Sequence, residues 1–133
     1  MLQVQGNMSD RIVFLDDNQD LRELIRDILE SELKVKCMCF GSVMEFTNHP
    51  EEVLRAKVAL LDINLGPDVP NGMDAFDWLK KQGFQGKVVF FTGHARIYLQ
   101  DALDHGEGAE ILEKPVDVDK LVSVVLRAMN EIP

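Results

Sequence analysis

Ile12-Val13-Phe14-Leu15-Asp16-Asp17 and Val58-Ala59-Leu60-Leu61-Asp62 are two short apolar runs that each end in carboxylates. Continuous apolar runs followed by helix-like patterns read as buried strands of a parallel sheet. Two later segments follow the same plan. Val88-Val89-Phe90-Phe91 leads into Thr92, and Ile111-Leu112 leads to Lys114-Pro115. In open parallel sheets the site lies beyond the carboxyl ends of the strands, where strand order reverses. Three acids, a hydroxyl and an ammonium are therefore expected along one edge, as a cation site with a phosphoryl-sized gap.

Strand-like and helix-like patterns alternate five times with short connections, which indicates one α/β domain. Asn18 is a candidate N-cap for a helix whose Leu21, Leu24, Ile25, Ile28 and Leu29 recur at helical spacing. Val35 to Phe40 reads as the second strand. Ser42-Val43-Met44-Glu45 fits a capping box opening a second helix, which Pro50 breaks or restarts. After Asp62 comes a loop of turn formers, Gly66-Pro67-Asp68-Val69-Pro70-Asn71-Gly72, then a helix from Met73 to Lys81. The fourth strand is placed at Lys87 to Phe91, a helix at about Ala95 to Asp104, and the fifth strand at Glu110 to Leu112. Asp117 caps a last helix with an apolar stripe of Leu121, Val124, Val125 and Ala128.

Composition narrows the function. A net charge of −9 disfavours a nucleic-acid surface, which needs a basic stripe. No apolar stretch approaches the roughly 20 residues of a membrane span. Residues 1–9 are polar, lack a signal-peptide core, and are expected to be a flexible leader to a domain over 10–133 with no output domain after it. Cys37 and Cys39, two apart on a strand, share a face but sit too far apart for easy bridging. They read as small buried apolar residues of a reduced, cytoplasmic protein. With His49, His94 and His105 scattered, no zinc site is expected.

The acids suggest specific chemistry. Adjacent buried carboxylates repel, and one pKa rises unless a cation removes the penalty. Mg²⁺ suits an all-oxygen set of Asp16, Asp17, Asp62 and a nearby carbonyl. Asp62 stands singly at its strand end and is the better nucleophile toward phosphorus. Thr92, Lys114 and the metal can neutralise phosphoryl charge. The bland alternatives are a solvated acidic loop, a β-favouring Thr, and a surface lysine before a turn proline. They account for each residue singly, and poorly for the set.

With Phe14-Leu15-Asp16-Asp17-Asn18, Leu60-Leu61-Asp62-Ile63-Asn64-Leu65, Phe91-Thr92-Gly93-His94 and Leu112-Glu113-Lys114-Pro115, the chain resembles the receiver domain of two-component response regulators, in a single-domain, chemotaxis-regulator-like form. The intervals Asp17 to Asp62, Asp62 to Thr92 and Thr92 to Lys114, which are 45, 30 and 22 residues, are similar to that family's, and the likeness runs from Asp10 to about Asn130. The resemblance implies a flavodoxin-like doubly wound sheet of five parallel strands, order 2-1-3-4-5, with five helices. It implies that Asp62 accepts a phosphoryl group from a sensor histidine kinase or phosphotransfer protein. Asp17, Asp62 and the Asn64 carbonyl would bind Mg²⁺ directly, with Asp16 acting through water. Thr92 would swing toward the phosphoryl group, Lys114 would pair with it, and Gly93 would leave it room. The Lys114-Pro115 bond would be cis. Such a protein is no ordinary enzyme, although it assists its own phosphorylation and dephosphorylation. It would be a monomer or weak dimer, meeting a downstream protein through the fourth helix, fifth strand and fifth helix.

Three features depart from the pattern. Ile111 stands where the family usually has an aromatic that rotates with Thr92, so the switch is expected to run through backbone movement from Thr92 to Arg96, with Tyr98 in the partner surface. The loop from Asp62 to Gly72 is about two residues longer than usual. His94, two after Thr92, occupies a position that tunes phosphoryl lifetime in the family. Alternatives of other classes are a phosphorylation-independent protein-binding module and a phosphatase of the haloacid-dehalogenase type. The phosphatase wants an acid two residues after its nucleophile, where this chain has Asn64. Flavin binding is disfavoured because an acidic first loop repels a phosphate.

Overall fold

The computed structural model describes residues 10–66, 68–93, 110–115 and 117–130. The elements run β1 (Arg11–Leu15), α1 (Gln19–Leu33), β2 (Lys36–Phe40), α2 (Val43–Thr47), α3 (Pro50–Leu54), β3 (Val58–Leu61), α4 (Gly72–Lys81), β4 (Lys87–Thr92), β5 (Glu110–Glu113) and α5 (Val118–Asn130). All strand pairs are parallel, and the order is β2-β1-β3-β4-β5. This is the flavodoxin-like doubly wound sheet expected from the sequence. The helix placed at about 95–104, with Tyr98 and the neighbouring His94, lies outside the described residues.

Alternation along the strands builds two cores. Ile12, Phe14, Leu60, Val89 and Phe91 pack with Ile25 and Leu29 of α1 and Leu121 and Val125 of α5. Val13, Leu15, Ala59, Leu61 and Phe90 pack with Phe46 of α2, Val53 of α3, and Phe76 and Leu79 of α4. Each large side chain buried this way stabilises the fold by about 1.5–3 kcal/mol. Four phenylalanines, Phe14, Phe46, Phe90 and Phe91, are fully buried. A surface ion pair such as Arg26–Asp27 is worth roughly 0–1 kcal/mol, so burial decides the architecture.

The helix ends follow local chemistry. Asn18 caps α1 by accepting from the Leu21 amide at 3.0 Å. Within α1 the expected stripe is narrower, because Leu24 is 50% exposed. It lies about 100° around the helix from Ile25, off the buried face. Ser42 caps α2 by accepting from the Glu45 amide, but the Glu45 carboxylate reaches back to Gly41 N–H at 2.8 Å. The predicted box thus closes one residue early. Pro50 restarts the chain as α3, dividing the expected second helix in two. Asp117 Oδ1 accepts from the Lys120 amide at the start of α5. Cys37 is buried as expected, whereas Cys39 is only half-buried because β2 is an edge strand.

Helix α4 starts on a reciprocal capping box. Asn71 accepts from the Met73 and Asp74 amides, and the Asp74 carboxylate accepts from Asn71 N–H. Gly72 then presses backbone against backbone at the end of β3. A Cβ there would lie 2.3 Å from the Asp62 carbonyl oxygen and 2.9 Å from Ile63 Cα. Alanine normally favours a helix over glycine by about 1 kcal/mol. Here overpacking outweighs that gain, so Gly72→Ala is expected to destabilise the protein by about 1–3 kcal/mol in a urea titration.

Candidate functional site

Strand register gathers the predicted residues. Leu15 pairs with Leu61, so the chain turns acidic at the same level on two adjacent strands. The ladder continues past both ends: Asp62 N–H donates to Leu15 O at 2.8 Å, and Asp16 N–H donates to Phe40 O at 3.0 Å. At the far side Thr92 pairs with Glu113, and Lys114 N–H donates to Thr92 O at 3.0 Å. The result is an open cavity of about 390 Å³ whose walls include Asp16, Asp17, Asp62, Asn64, Thr92 and Lys114. Every residue singled out for the phosphoryl and metal chemistry is therefore in one place. Ile111 is not: it is partly buried against the core face that carries α2 and α4.

Asp16 and Asp62 are buried at 0% and 3% exposure, and Asp17 is exposed. The Lys114 ammonium bridges the buried pair, 2.8 Å from Asp16 Oδ2 and 3.3 Å from Asp62 Oδ2. It also lies over the Phe91 ring, 5.1 Å from the centroid, with the Phe14 ring a further 5.9 Å away. That aromatic floor restricts where the ammonium can go. Asp16 Oδ1 accepts from Asn18 N–H at 2.9 Å, and Asp62 Oδ1 accepts from Asn64 N–H at 3.3 Å. The Asn64 side chain serves its own loop, accepting from Gly66 N–H at 3.2 Å. Left-handed backbone at Gly66 (φ 118°) and Asp68 (φ 59°) turns the loop that follows Asp62. A Cβ on Gly93 would meet nothing within 4 Å, so space is open beside Thr92. The Lys114-Pro115 bond is cis, as anticipated.

Electrostatics leaves the cluster short of positive charge. Oxygens of Asp16, Asp17 and Asp62 lie within 4.8 Å of one another and can hold a metal ion. Three carboxylates against one ammonium leave a formal charge of −2. Burial, and then repulsion from Asp16, push the Asp62 carboxyl up from 3.8 to about 6, although Lys114 opposes both. Burial pulls the Lys114 ammonium down, but its hydrogen bond to Asp16 and the charges of both acids more than offset that. Its pKa ends above the ordinary lysine value, and it stays charged.

Two residues that hold the site were not apparent in the sequence. Arg22 Nη1 donates to Asp16 O at 2.8 Å, fixing the peptide between the two leading acids. Gly72 admits α4 to the Asp62 backbone. Its Asn-Gly context reads locally as a turn. Only the tertiary contact shows why a side chain is excluded.

The Asp62 shift has a testable consequence. A carboxyl whose folded pKa exceeds its unfolded value of about 3.9 holds its proton more tightly when folded. Stability is therefore lost as pH rises from about 4 to about 6 and is not regained above that window. In metal-free solution near pH 7, Asp62→Asn is expected to raise stability by on the order of 2 kcal/mol, and the gain should vanish near pH 4. Thermal melts of both proteins across that range check it.

A family model for the response regulator receiver domain matches residues 12–126. The nitrogen assimilation regulatory protein NtrX of Azorhizobium caulinodans is 27% identical over 128 residues, covering 94% of this chain and 27% of that protein. The response regulator protein TodT of Pseudomonas putida is 25% identical over 130 residues, covering 96% of this chain and 56% of that one. The chain thus spans from about a quarter to just over half of these relatives' lengths. In fold it is similar to a CheY-like receiver domain protein from Methanospirillum hungatei, with a TM-score of 0.80 at 23% identity, covering 92% of this chain and 95% of that one. The register-built acid cavity and these matches lead to one conclusion: the chain belongs to the response regulator receiver family of two-component systems.

Proposed function

We propose that this receiver takes a phosphoryl group from a histidine kinase, or from a phosphotransfer protein, onto Asp62. The observation that carries the reading is the charge imbalance around Asp62. Its carboxylate faces an open cavity within a cluster that one lysine leaves at −2. A nucleophilic oxygen of Asp62 attacks phosphorus, a phosphorus–oxygen bond forms, and the phosphorus–nitrogen bond to the donor histidine breaks.

The donor set fits Mg²⁺, which favours carboxylate and carbonyl oxygens and retains several waters. Asp17, Asp62 and the Asn64 carbonyl would hold it, with Asp16 contributing through water. Bound there, it would neutralise charge on the phosphoryl oxygens. The chain's own groups do the rest. Asp16 keeps the Lys114 ammonium within 2.8 Å of itself and so within reach of the Asp62 oxygen that becomes phosphorylated. Lys114 then pairs with the phosphoryl group, and the Thr92 hydroxyl donates to it. Gly93 leaves the approach open.

Phosphorylation adds about −1.5 to −2 charges. Thr92 and Lys114, at the ends of β4 and β5, would respond and alter the surface presented to a downstream protein. Ile111 has no polar tip to turn inward, so the change would travel through backbone from Thr92 onward. The protein would act in the cytoplasm as a monomer or weak dimer. Among the described residues no helix is long and apolar enough to cross a membrane.

Two measurements test the reading. Incubated with acetyl phosphate and Mg²⁺, the protein is expected to gain one acid-labile phosphate on Asp62, located by mass spectrometry. Asp62→Asn should incorporate less than about 1% as much, because the proposed nucleophile is gone. Phosphate found on another residue would overturn the assignment. Asp17→Ala should remove Mg²⁺-dependent phosphorylation while the melting temperature of the metal-free protein stays within about 2 °C. Calorimetry is the suitable probe of binding, since Trp78 stacks edge-on against Phe46 at 6.0 Å and does not line the cavity. A protein that binds neither Mg²⁺ nor beryllofluoride would instead act as a phosphorylation-independent binding module.

A further inference from the structure

Asp17 is exposed, yet one of its oxygens lies within 4.8 Å of oxygens of Asp16 and Asp62. Among the described residues no donor holds its carboxylate, so its own backbone must aim it. That backbone is fixed by its neighbours. The carbonyl of the Asp16–Asp17 peptide accepts from Arg22 Nη1 at 2.8 Å. Asp16 is 0% exposed, so water does not reach this carbonyl in the folded protein. Asn18 ties the other side of the turn. Its amide donates to Asp16 Oδ1 at 2.9 Å, and its carbonyl accepts from Arg22 N–H at 3.0 Å.

The guanidinium has room to reach that carbonyl because residue 41 is a glycine. A Cβ on Gly41 would stand 3.1 Å from Arg22 Nη1 and 3.5 Å from Arg22 Cζ. Gly41 is not in the left-handed region, so contact with the guanidinium is what disfavours a side chain there. Its amide donates to Glu45 Oε1 at 2.8 Å, which restrains it from backing away. The first turn of α1 and the segment leaving β2 thus meet around one guanidinium, against the backbone of the acid pair. Two effects of Arg22 on a cation have opposite signs. As a positive charge it disfavours a second one nearby, whereas as a hydrogen-bond donor it favours one by aiming Asp17.

We propose that Arg22 is a positioning residue for the divalent cation, acting through the Asp16–Asp17 peptide, with Gly41 as the gap that admits its guanidinium. The inference rests on the phosphoacceptor reading for the identity of the ion, Mg²⁺ held in part by Asp17. Without Arg22 a buried carbonyl loses its donor and must turn toward another. The peptide is planar, so turning the carbonyl turns the Asp17 amide with it and moves the Asp17 carboxylate from its place beside Asp62. Mg²⁺ tolerates little departure from octahedral geometry, so a displaced ligand weakens binding.

The test is calorimetric titration with Mg²⁺ alone, at a temperature where each variant is folded, together with the amide nitrogen resonance of Asp17 in metal-free protein. Arg22→Met keeps the length of the side chain and removes its charge and its donors. Mg²⁺ affinity is expected to fall about tenfold although a repelling charge has gone, and the Asp17 resonance to move without metal. Arg22→Lys, which retains the charge and a donor, should recover part of both. Gly41→Ala leaves every charge in place and crowds the guanidinium, so it should weaken Mg²⁺ severalfold and add little to Arg22→Met. Equal or tighter binding by Arg22→Met, or an unmoved Asp17 resonance, would overturn the inference. If Arg22→Met does not fold, Gly41→Ala decides, and unchanged affinity there overturns it equally. A wild-type chain that binds no Mg²⁺ overturns the metal of the phosphoacceptor reading and this inference with it. Wild-type binding that the variants leave untouched overturns the inference alone.

Discussion

One ammonium between two buried carboxylates is the constraint around which this molecule is organised. Lys114 lies 2.8 Å from Asp16 and 3.3 Å from Asp62, both almost fully removed from water. At the effective dielectric of a protein site, two like charges about 4 Å apart repel by roughly 4 kcal/mol. One lysine can offset that repulsion, but it cannot also balance Asp17. The remaining negative charge keeps the pocket receptive to a cation, while burial and then repulsion from Asp16 hold Asp62 above the usual carboxylate range. Neutrality would have needed both a second lysine and the loss of Asp17. The site carries its imbalance instead.

Such a cluster survives because the surrounding fold is strong enough to impose it. The parallel register fixes Asp16 next to Asp62 and Thr92 next to Glu113, so no loop rearrangement is needed to assemble the cavity. The two apolar faces alternate along the same strands, and burial of their large side chains contributes far more than the acid repulsion costs. Crossovers on opposite faces, α1 on one and α2 through α4 on the other, leave the crevice at the carboxyl ends open. Gly72 completes the arrangement by letting α4 meet the Asp62 backbone directly.

Much of this was legible in the residues. Continuous apolar runs of four or five residues, each followed by a helix pattern, read as strands buried on both faces, and their polar ends therefore mark the site edge. Asn18, Ser42 and Asp117 announced helix starts through a mechanism that is local. What stayed hidden depended on partners distant in the chain. Leu24 matches the helical period yet lies on its flank, because period alone does not say how wide the covered stripe is. Glu45 closes its cap on Gly41 because the backbone entering α2 is set by β2. Arg22 and Gly72 act on Asp16 and Asp62 through contacts that no local pattern encodes. The helix placed over 95–104, His94 and Tyr98 fall outside the described residues.

The acids also divide their labour in a way the sequence pair Asp16-Asp17 conceals. Every polar group of Asp16 is engaged. Its amide donates to Phe40, its carbonyl accepts from Arg22, and its carboxylate oxygens accept from Asn18 and from Lys114. A group held at four points is suited to positioning a lysine and poorly suited to moving. Asp17, exposed at the rim, retains that freedom, and Asp62 has one oxygen shared with Lys114 and one with the Asn64 amide. The three acids therefore differ in how they are held, Asp16 and Asp62 by partners on both carboxylate oxygens and Asp17 at the exposed rim. The same commitments make Asp16 the point at which β1, β2, α1 and the lysine converge.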